Sequence, residues 1–127
     1  YQETKCTRYI PGITIEQYGT ECFIDRKPGE KDIKLAKEGL ERCRRALSEG
    51  MYDVVIMDEV TIAVYFGLIK EEDVICAIKE KAEKTEVVLT GRYASKALMD
   101  EANLVSEINE IKHYYRKGVL SRPGIDC

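Results

Sequence analysis

The sequence is poor in the residues that build several common kinds of functional site. It has no tryptophan and a single histidine, His113, so a site built from several histidines is excluded. Its five cysteines form no C-x-x-C pair, and their odd number suits a reducing compartment better than secretion. No stretch approaches the roughly 20 apolar residues of a membrane helix, and no signal-peptide pattern opens the chain. We therefore expect a cytoplasmic protein with no membrane partner.

The composition is otherwise that of an ordinary globular domain. With 127 residues, of which 44% are hydrophobic, residues 1–127 are predicted to form a single domain with a real core. Its 20 basic and 23 acidic side chains are mostly interleaved and leave a net charge of -3, so no nucleic-acid partner is indicated. Cys43 and Cys76 are predicted to lie in the core.

Periodic apolar residues predict alternating strands and helices. One helix is indicated by spacings of three and four residues, followed by the stop signal Gly50; its apolar positions are Ile33, Ala36, Leu40, Cys43 and Leu47. A second helix starts in the acidic residues 71–73 and would turn inward Val74, Ile75, Ile78 and Ala82. A short helical stretch is expected up to Phe66, and Ser95 can cap a helix that runs through Ala102.

Short apolar runs predict four strands, at residues 13–17, 54–58, 86–90 and 104–108. The run at 54–58 has the continuous apolar character of a strand buried in a parallel sheet. Because strands alternate with helices, the fold class is predicted to be α/β with a parallel sheet.

Two groups of residues, one acidic and one polar or basic, should meet at one edge of this sheet. Asp58 and Glu59 end one strand, whereas Thr90, Gly91 and Arg92 end another. Ligands bind at the C-terminal edge of such sheets, and a carboxylate for Mg²⁺ beside a guanidinium for phosphate suits a nucleoside triphosphate. The alternative is purely structural, with the acids capping the next helix or pairing with a surface lysine.

The C-terminal segment, residues 109–127, is predicted to be a basic tail. From residue 111 to 125 it has no acid and carries Lys112, His113, Arg116, Lys117 and Arg122. With Tyr114 and Tyr115 it could close over an anionic ligand, or it could be a solvated terminus. His113 could be a single axial metal ligand, a hydrogen-bond donor or a plain surface residue.

A series of segments, in order and spacing, resembles the ATP:corrinoid adenosyltransferases of the cobalamin-synthesis type. The resemblance runs from residue 13 to the end and rests on Cys22-Phe23-Ile24, Met57-Asp58-Glu59, Glu86 to Ala94, Ala102 to Glu107, Ile111 to Tyr115, Gly118-Val119 and Gly124-Ile125. No single segment is specific, but the series is.

The resemblance implies a three-layer RecA-like P-loop fold and a defined reaction. Such enzymes move the 5′-deoxyadenosyl group of ATP to the cobalt of a reduced corrinoid, cob(I)alamin or cobyrinic acid a,c-diamide, and release triphosphate. Glu59 would hold Mg²⁺ with Asp58 beside it, and Thr90, Gly91 and Arg92 would face the nucleotide. Phe23 and His113 would face the corrinoid. A flavin-dependent electron donor and a homodimer are further implications.

One departure from the family pattern concerns the phosphate-binding loop. No G-x-x-x-x-G-K-S/T occurs in the sequence, so the family's N-terminal strand, P-loop, first helix and second strand are expected to precede Tyr1. Without them, residues 1–127 alone should bind ATP weakly and be inactive. Two other hypotheses stay open: a truncated, non-catalytic corrinoid-binding or assembly module, and a fragment of another RecA-like nucleotide-binding protein.

Overall fold

The computed structural model describes residues 3–19, 28–123 and 125. Contacts divide the chain into two units, of which one is Tyr18–Val105 and the other combines Tyr1–Gln17 with Ser106–Cys127. Phe23 lies outside the described residues, so its predicted place against a corrinoid stays a prediction.

The larger unit begins with the predicted amphipathic helix, α1, Glu30–Glu49. The Asp32 carboxylate accepts a hydrogen bond of 2.8 Å from the Gly29 N–H, which satisfies a free donor at the helix start. The helix ends at Gly50, whose φ of 62° is left-handed and favours glycine. Leu47 is fully buried on the inner face, so the predicted helix and its stop signal are confirmed.

Two parallel strands form the sheet of this unit. They are β1, Val54–Met57, and β2, Glu86–Leu89, and their register pairs Val54 with Glu86 and Met57 with Leu89. Between them lie α2, Val60–Tyr65, and α3, Glu71–Lys79; α4, Lys96–Glu101, follows β2. The predicted α/β class with a parallel sheet is confirmed, and it is compatible with a RecA-like fold.

The core lies on one face of the sheet, against α1 and α3. Val55 and Met57 of β1 are buried there with Leu47, Val74 and Ala77. On the opposite face, Val54, Ile56 and Val88 are 49, 61 and 42% exposed within the described chain. The expectation of a strand buried on both faces therefore holds for one face of the described structure, and the three-layer arrangement stays a prediction.

Two predicted strands are wrong, and so is one predicted core residue. Residues 13–17 and 104–108 have no regular secondary structure, and Ile13 and Leu104 are 51 and 84% exposed. These short apolar runs have no paired strand in the described chain, and a run this short cannot specify a strand without one. Cys43 packs against the core, but Cys76 is exposed, because α3 turns Val74 and Ala77 inward and position 76 outward.

The smaller unit contains short 3₁₀ helices at Glu3–Tyr9 and Tyr114–Lys117. The second of these ends at Gly118, which has a left-handed φ of 81°. Among the residues that the structure describes, no helix combines the length and apolar character needed to cross a membrane.

Candidate functional site

The C-terminal edge of the sheet brings the two predicted groups of residues together. Thr90 follows β2 directly, and its hydroxyl donates a hydrogen bond of 2.6 Å to Oδ1 of Asp58. The Thr90 hydroxyl oxygen in turn accepts a hydrogen bond of 2.9 Å from the Glu59 N–H. This convergence follows from the parallel register, which places Met57 beside Leu89 and therefore residue 58 beside residue 90.

The Thr90 hydroxyl thus contacts both acidic residues, Asp58 at its carboxylate and Glu59 at its backbone N–H. Its hydroxyl proton is committed to the Asp58 carboxylate and one of its lone pairs to the Glu59 N–H, so the side chain positions one carboxylate and the backbone that carries the other. Thr90 was predicted to face the nucleotide, and this stays a prediction; the sequence did not reveal the contacts of its hydroxyl with Asp58 and Glu59.

Glu59 has an unusual backbone for its residue type. Its φ of 58° is left-handed, a conformation that costs a non-glycine residue about 1 kcal/mol or more. The residue stands immediately before α2, and its exposed carboxylate makes no hydrogen bond or ion pair with the described part of the chain. Strained residues of this kind persist where neighbouring contacts fix them, and they cluster at functional sites.

Thr61 fixes the segment that follows Thr90. It is 5% exposed, and its hydroxyl lies 2.8 Å from the Arg92 carbonyl and 3.3 Å from the Thr90 carbonyl. Gly91, between them, has a φ of 132°, and a Cβ there would lie 2.2 Å from Thr61 Oγ1. Glycine is therefore required at 91 by both conformation and space. Sequence reasoning missed Thr61, and its only signal was a polar residue two positions after the acids.

Arg92 follows Gly91 at this edge. The side chain is exposed and forms no ion pair with the residues described, while its backbone carbonyl is held by Thr61. A guanidinium has five donors arranged for phosphate oxygens. The exposed guanidinium of Arg92 is therefore free of partners among the described residues, and its contact with a nucleotide stays a prediction.

His113 lies in the smaller unit. Its Nδ1 accepts a hydrogen bond of 3.0 Å from the Tyr115 N–H, so the proton of the neutral ring is on Nε2. A ring in this tautomer donates a hydrogen bond from Nε2 and has no free lone pair there for a metal. This hydrogen bond suits a donor role through Nε2, and all three predicted roles of His113 stay predictions.

Aromatic and basic side chains of the same tail contact one another. The Arg122 guanidinium lies 4.9 Å from the Tyr114 ring centroid, a cation–π distance. Arg116 donates a hydrogen bond of 2.6 Å to Glu110, so one of the tail's cations is partly neutralised.

The donor set at the sheet edge fits Mg²⁺ held jointly by protein and phosphate. Within the described residues, no group of three or more histidine, cysteine, aspartate or glutamate side chains could hold a metal ion by itself. Mg²⁺ is typically bound by one or two carboxylates together with substrate phosphates and water. Glu59 and the second oxygen of Asp58 provide such a pair.

The fold and this edge together define a class: an α/β protein with acids at the C-terminal end of a parallel sheet, where nucleotides are bound in open α/β folds. Comparison with known proteins gives the family. The profile described as ATP:corrinoid adenosyltransferase BtuR/CobO/CobP matches residues 1–127, and the chain belongs to this family.

Curated relatives agree with this assignment. The corrinoid adenosyltransferase CobA of Salmonella typhimurium is 34% identical over 115 residues, which are 91% of this chain and 59% of that protein. The corrinoid adenosyltransferase of Escherichia coli K12 is 29% identical over the same shares of both chains. That of a Sinorhizobium species is 33% identical over 97 residues, 76% of this chain and 45% of that protein. The chain thus spans about three fifths of the length of the first two relatives.

Proposed function

We propose that the protein transfers the 5′-deoxyadenosyl group of ATP to the cobalt of a reduced corrinoid. The observation that carries this proposal is the carboxylate pair Asp58 and Glu59, held by Thr90 at the C-terminal edge of the sheet, in a chain that belongs to the corrinoid adenosyltransferase family along its whole length. The corrinoid is cob(I)alamin or cobyrinic acid a,c-diamide, and the product is of the adenosylcobalamin type.

The reaction needs positioning more than acid–base chemistry. The Co(I) of the substrate attacks C5′ of the ribose, a cobalt–carbon bond forms, and the C5′–O bond breaks with its electron pair leaving on triphosphate. The protein must hold the reacting atoms in line and stabilise the negative charge of the leaving group. No proton has to be transferred at carbon, which is consistent with an edge whose residues 58, 59 and 90–92 provide carboxylates and a guanidinium.

Each residue of the edge has a role in this scheme. Glu59, with Asp58 beside it, would hold Mg²⁺, which when bound neutralises charge on the triphosphate. Thr90 orients both acids, Gly91 lets the backbone approach Thr61, and Arg92 faces the phosphates. The corrinoid side would include Phe23 as an aromatic contact and His113 as a hydrogen-bond donor through Nε2.

The scheme also needs a phosphate-binding loop, and residues 1–127 contain no P-loop motif. The Escherichia coli and Salmonella relatives are longer than this chain, because the aligned residues make up 59% of each of them. We place a glycine- and lysine-rich P-loop in the complete gene product, and we expect residues 1–127 alone to bind ATP weakly and to be inactive. A flavin-dependent reductase as electron donor, a homodimer and a cytoplasmic location complete the proposal.

An anaerobic assay of the protein expressed from its complete gene tests the proposed reaction. With Mg-ATP and chemically reduced cob(I)alamin, the visible spectrum should change to that of an alkylcobalamin, with one triphosphate released per corrinoid converted. Each substrate alone should give neither product. Corrinoid binding without conversion would support the non-catalytic binding module instead, and tight salt-sensitive binding of single-stranded DNA would support another RecA-like protein.

A further inference from the structure

Three aromatic rings lie together on the protein surface, on the two segments that leave the sheet edge at Glu59 and Thr90. Tyr65, Phe66 and Tyr93, here called the aromatic platform, are 60, 44 and 63% exposed. The ring centroids of Tyr65 and Tyr93 are 4.4 Å apart with a tilt of 30°, and Phe66 meets Tyr65 edge-on at 5.3 Å. Because the rings remain largely exposed, burial in the core does not account for them, and a contiguous exposed apolar patch is typical of a binding surface.

The platform is fixed by the same contacts that order the site. Tyr93 has a left-handed φ of 63°, which is rare and unfavourable for an aromatic residue. The preceding carbonyl, that of Arg92, accepts the 2.8 Å hydrogen bond from buried Thr61. The backbone that carries the Tyr93 ring is therefore held against α2, and the ring stacks on the last residue of that helix.

Two short backbone paths connect the sheet edge with the platform, each about as long as one nucleotide. Helix α2 begins after Glu59 and ends at Tyr65, and its six residues rise about 9 Å. Along the other strand, Tyr93 is three residues beyond Thr90, a span of at most about 11 Å. One path starts at Glu59 and the other at Thr90, whose hydroxyl is hydrogen-bonded to Asp58, and both end at the stacked pair.

We propose that the aromatic platform stacks on the purine base of the nucleoside triphosphate whose phosphates lie at Asp58 and Glu59. This inference rests on the proposed function, because it places the base of the same substrate. An exposed aromatic ring stacks on any base through its π-face, with a gain of about 1–3 kcal/mol per base. The platform therefore contributes affinity for the nucleoside part, while the carboxylates and Arg92 act on the phosphates.

Two ligands separate these contributions: Mg-ATP and Mg-tripolyphosphate, which has the phosphates but no base. In the protein from the complete gene, the double variant Tyr65→Leu/Tyr93→Asn should bind ATP on the order of tenfold more weakly. Its affinity for tripolyphosphate should stay at the wild-type value. Asparagine is used at 93 because it tolerates the left-handed backbone. The matched variant Tyr65→Phe/Tyr93→Phe keeps both π-faces and should keep the wild-type affinity for ATP.

Several outcomes would overturn the proposal. Equal weakening of both ligands would show that the rings only support the fold, and unchanged ATP affinity would show that they do not touch the base. A raised KM for the corrinoid with unchanged ATP affinity would place the corrinoid on the platform. If the wild-type protein binds and converts ATP but the double variant is unaffected, only this inference fails; if the wild type neither binds nor converts ATP, the proposed function fails with it.

Discussion

At the scale of single residues, the backbone of Glu59 is the most informative feature. A glutamate with φ of 58° is held by the Thr90 hydroxyl on its N–H, and its carboxylate is left exposed at the sheet edge. Glycine adopts this conformation without a steric cost, so glycine at position 59 would make the fold more stable than glutamate does. A glutamate in this conformation is consistent with the role proposed for its carboxylate at the ligand.

Exchange of Glu59 for two small residues tests this reading. Both Glu59→Gly and Glu59→Ala remove the carboxylate, but only glycine relieves the left-handed backbone. We therefore expect Glu59→Gly to exceed Glu59→Ala in free energy of unfolding by about 1 kcal/mol, while both lose activity. Urea unfolding of the two variants measures the difference. A Glu59→Ala protein that is as stable as Glu59→Gly would mean that residue 59 is not left-handed in solution.

At the scale of elements, α1 and α3 are joined by an ion pair at the protein surface. Arg44 of α1 donates hydrogen bonds of 2.5 and 2.6 Å to the two carboxylate oxygens of Glu80, the C-cap residue directly after α3. The hydrogen bond from Arg44 is the main cause that lowers the pKa of Glu80 below its usual value, and the hydrogen bond to Glu80 raises the pKa of Arg44. Both side chains are exposed, so salt should weaken the pair.

The lowered pKa of Glu80 sets the pH range in which this pair stabilises the fold. The stabilisation is complete above the pKa of glutamate in the unfolded chain and is lost as the pH falls through the lower pKa of the folded state. We expect Glu80→Gln to be slightly less stable than wild type at neutral pH and equal to it in strong acid. Urea unfolding at both pH values, with the exposed Glu83→Gln as control, measures this. A deficit that stays the same in acid would argue against the pair.

The elements also show how much of the fold could be predicted from the sequence. Helix α1, the two parallel strands and the Ser95 cap, whose side chain accepts a 3.2 Å hydrogen bond from Leu98 N–H, were predictable because each is specified by local periodicity or a local cap. The strands expected at 13–17 and 104–108 were not, because a strand also needs a partner that a short apolar run does not specify.

The candidate site was predictable in its location but not in its internal contacts. Parallel strands bring residues 58 and 90 to one edge whatever their side chains are. The left-handed backbones at Glu59 and Tyr93 could not be predicted, because neither residue type favours positive φ. The hydrogen bonds of Thr61 to carbonyls some 30 residues away depend on tertiary packing, which has no local sequence signal.

At the scale of the whole molecule, the described chain has a core on one face of its sheet and two hydrogen-bonded acidic residues at the C-terminal edge of that sheet. The helices cover one face of β1 and β2, and the opposite face has exposed Val54, Ile56 and Val88 among the described residues. The parallel register explains why Asp58 lies beside Thr90 at this edge, and the phosphate-binding loop belongs to the scheme proposed for the complete gene product. The central claim is therefore that Glu59 serves the metal-bound triphosphate of ATP in adenosyl transfer.

The most direct test is the rate of cobalt–carbon bond formation by Glu59→Gln in the protein from the complete gene, measured over a range of Mg²⁺ concentrations. Glutamine keeps the size of the side chain and removes its charge, so the fold should be intact while the rate falls on the order of a hundredfold, the loss expected when one preorganised electrostatic contact is removed. Glu83→Gln, which alters an exposed acid away from the edge, should keep the wild-type rate. We expect the loss of rate in Glu59→Gln to be greatest at limiting Mg²⁺. A Glu59→Gln protein with near wild-type rates at limiting Mg²⁺ would contradict it.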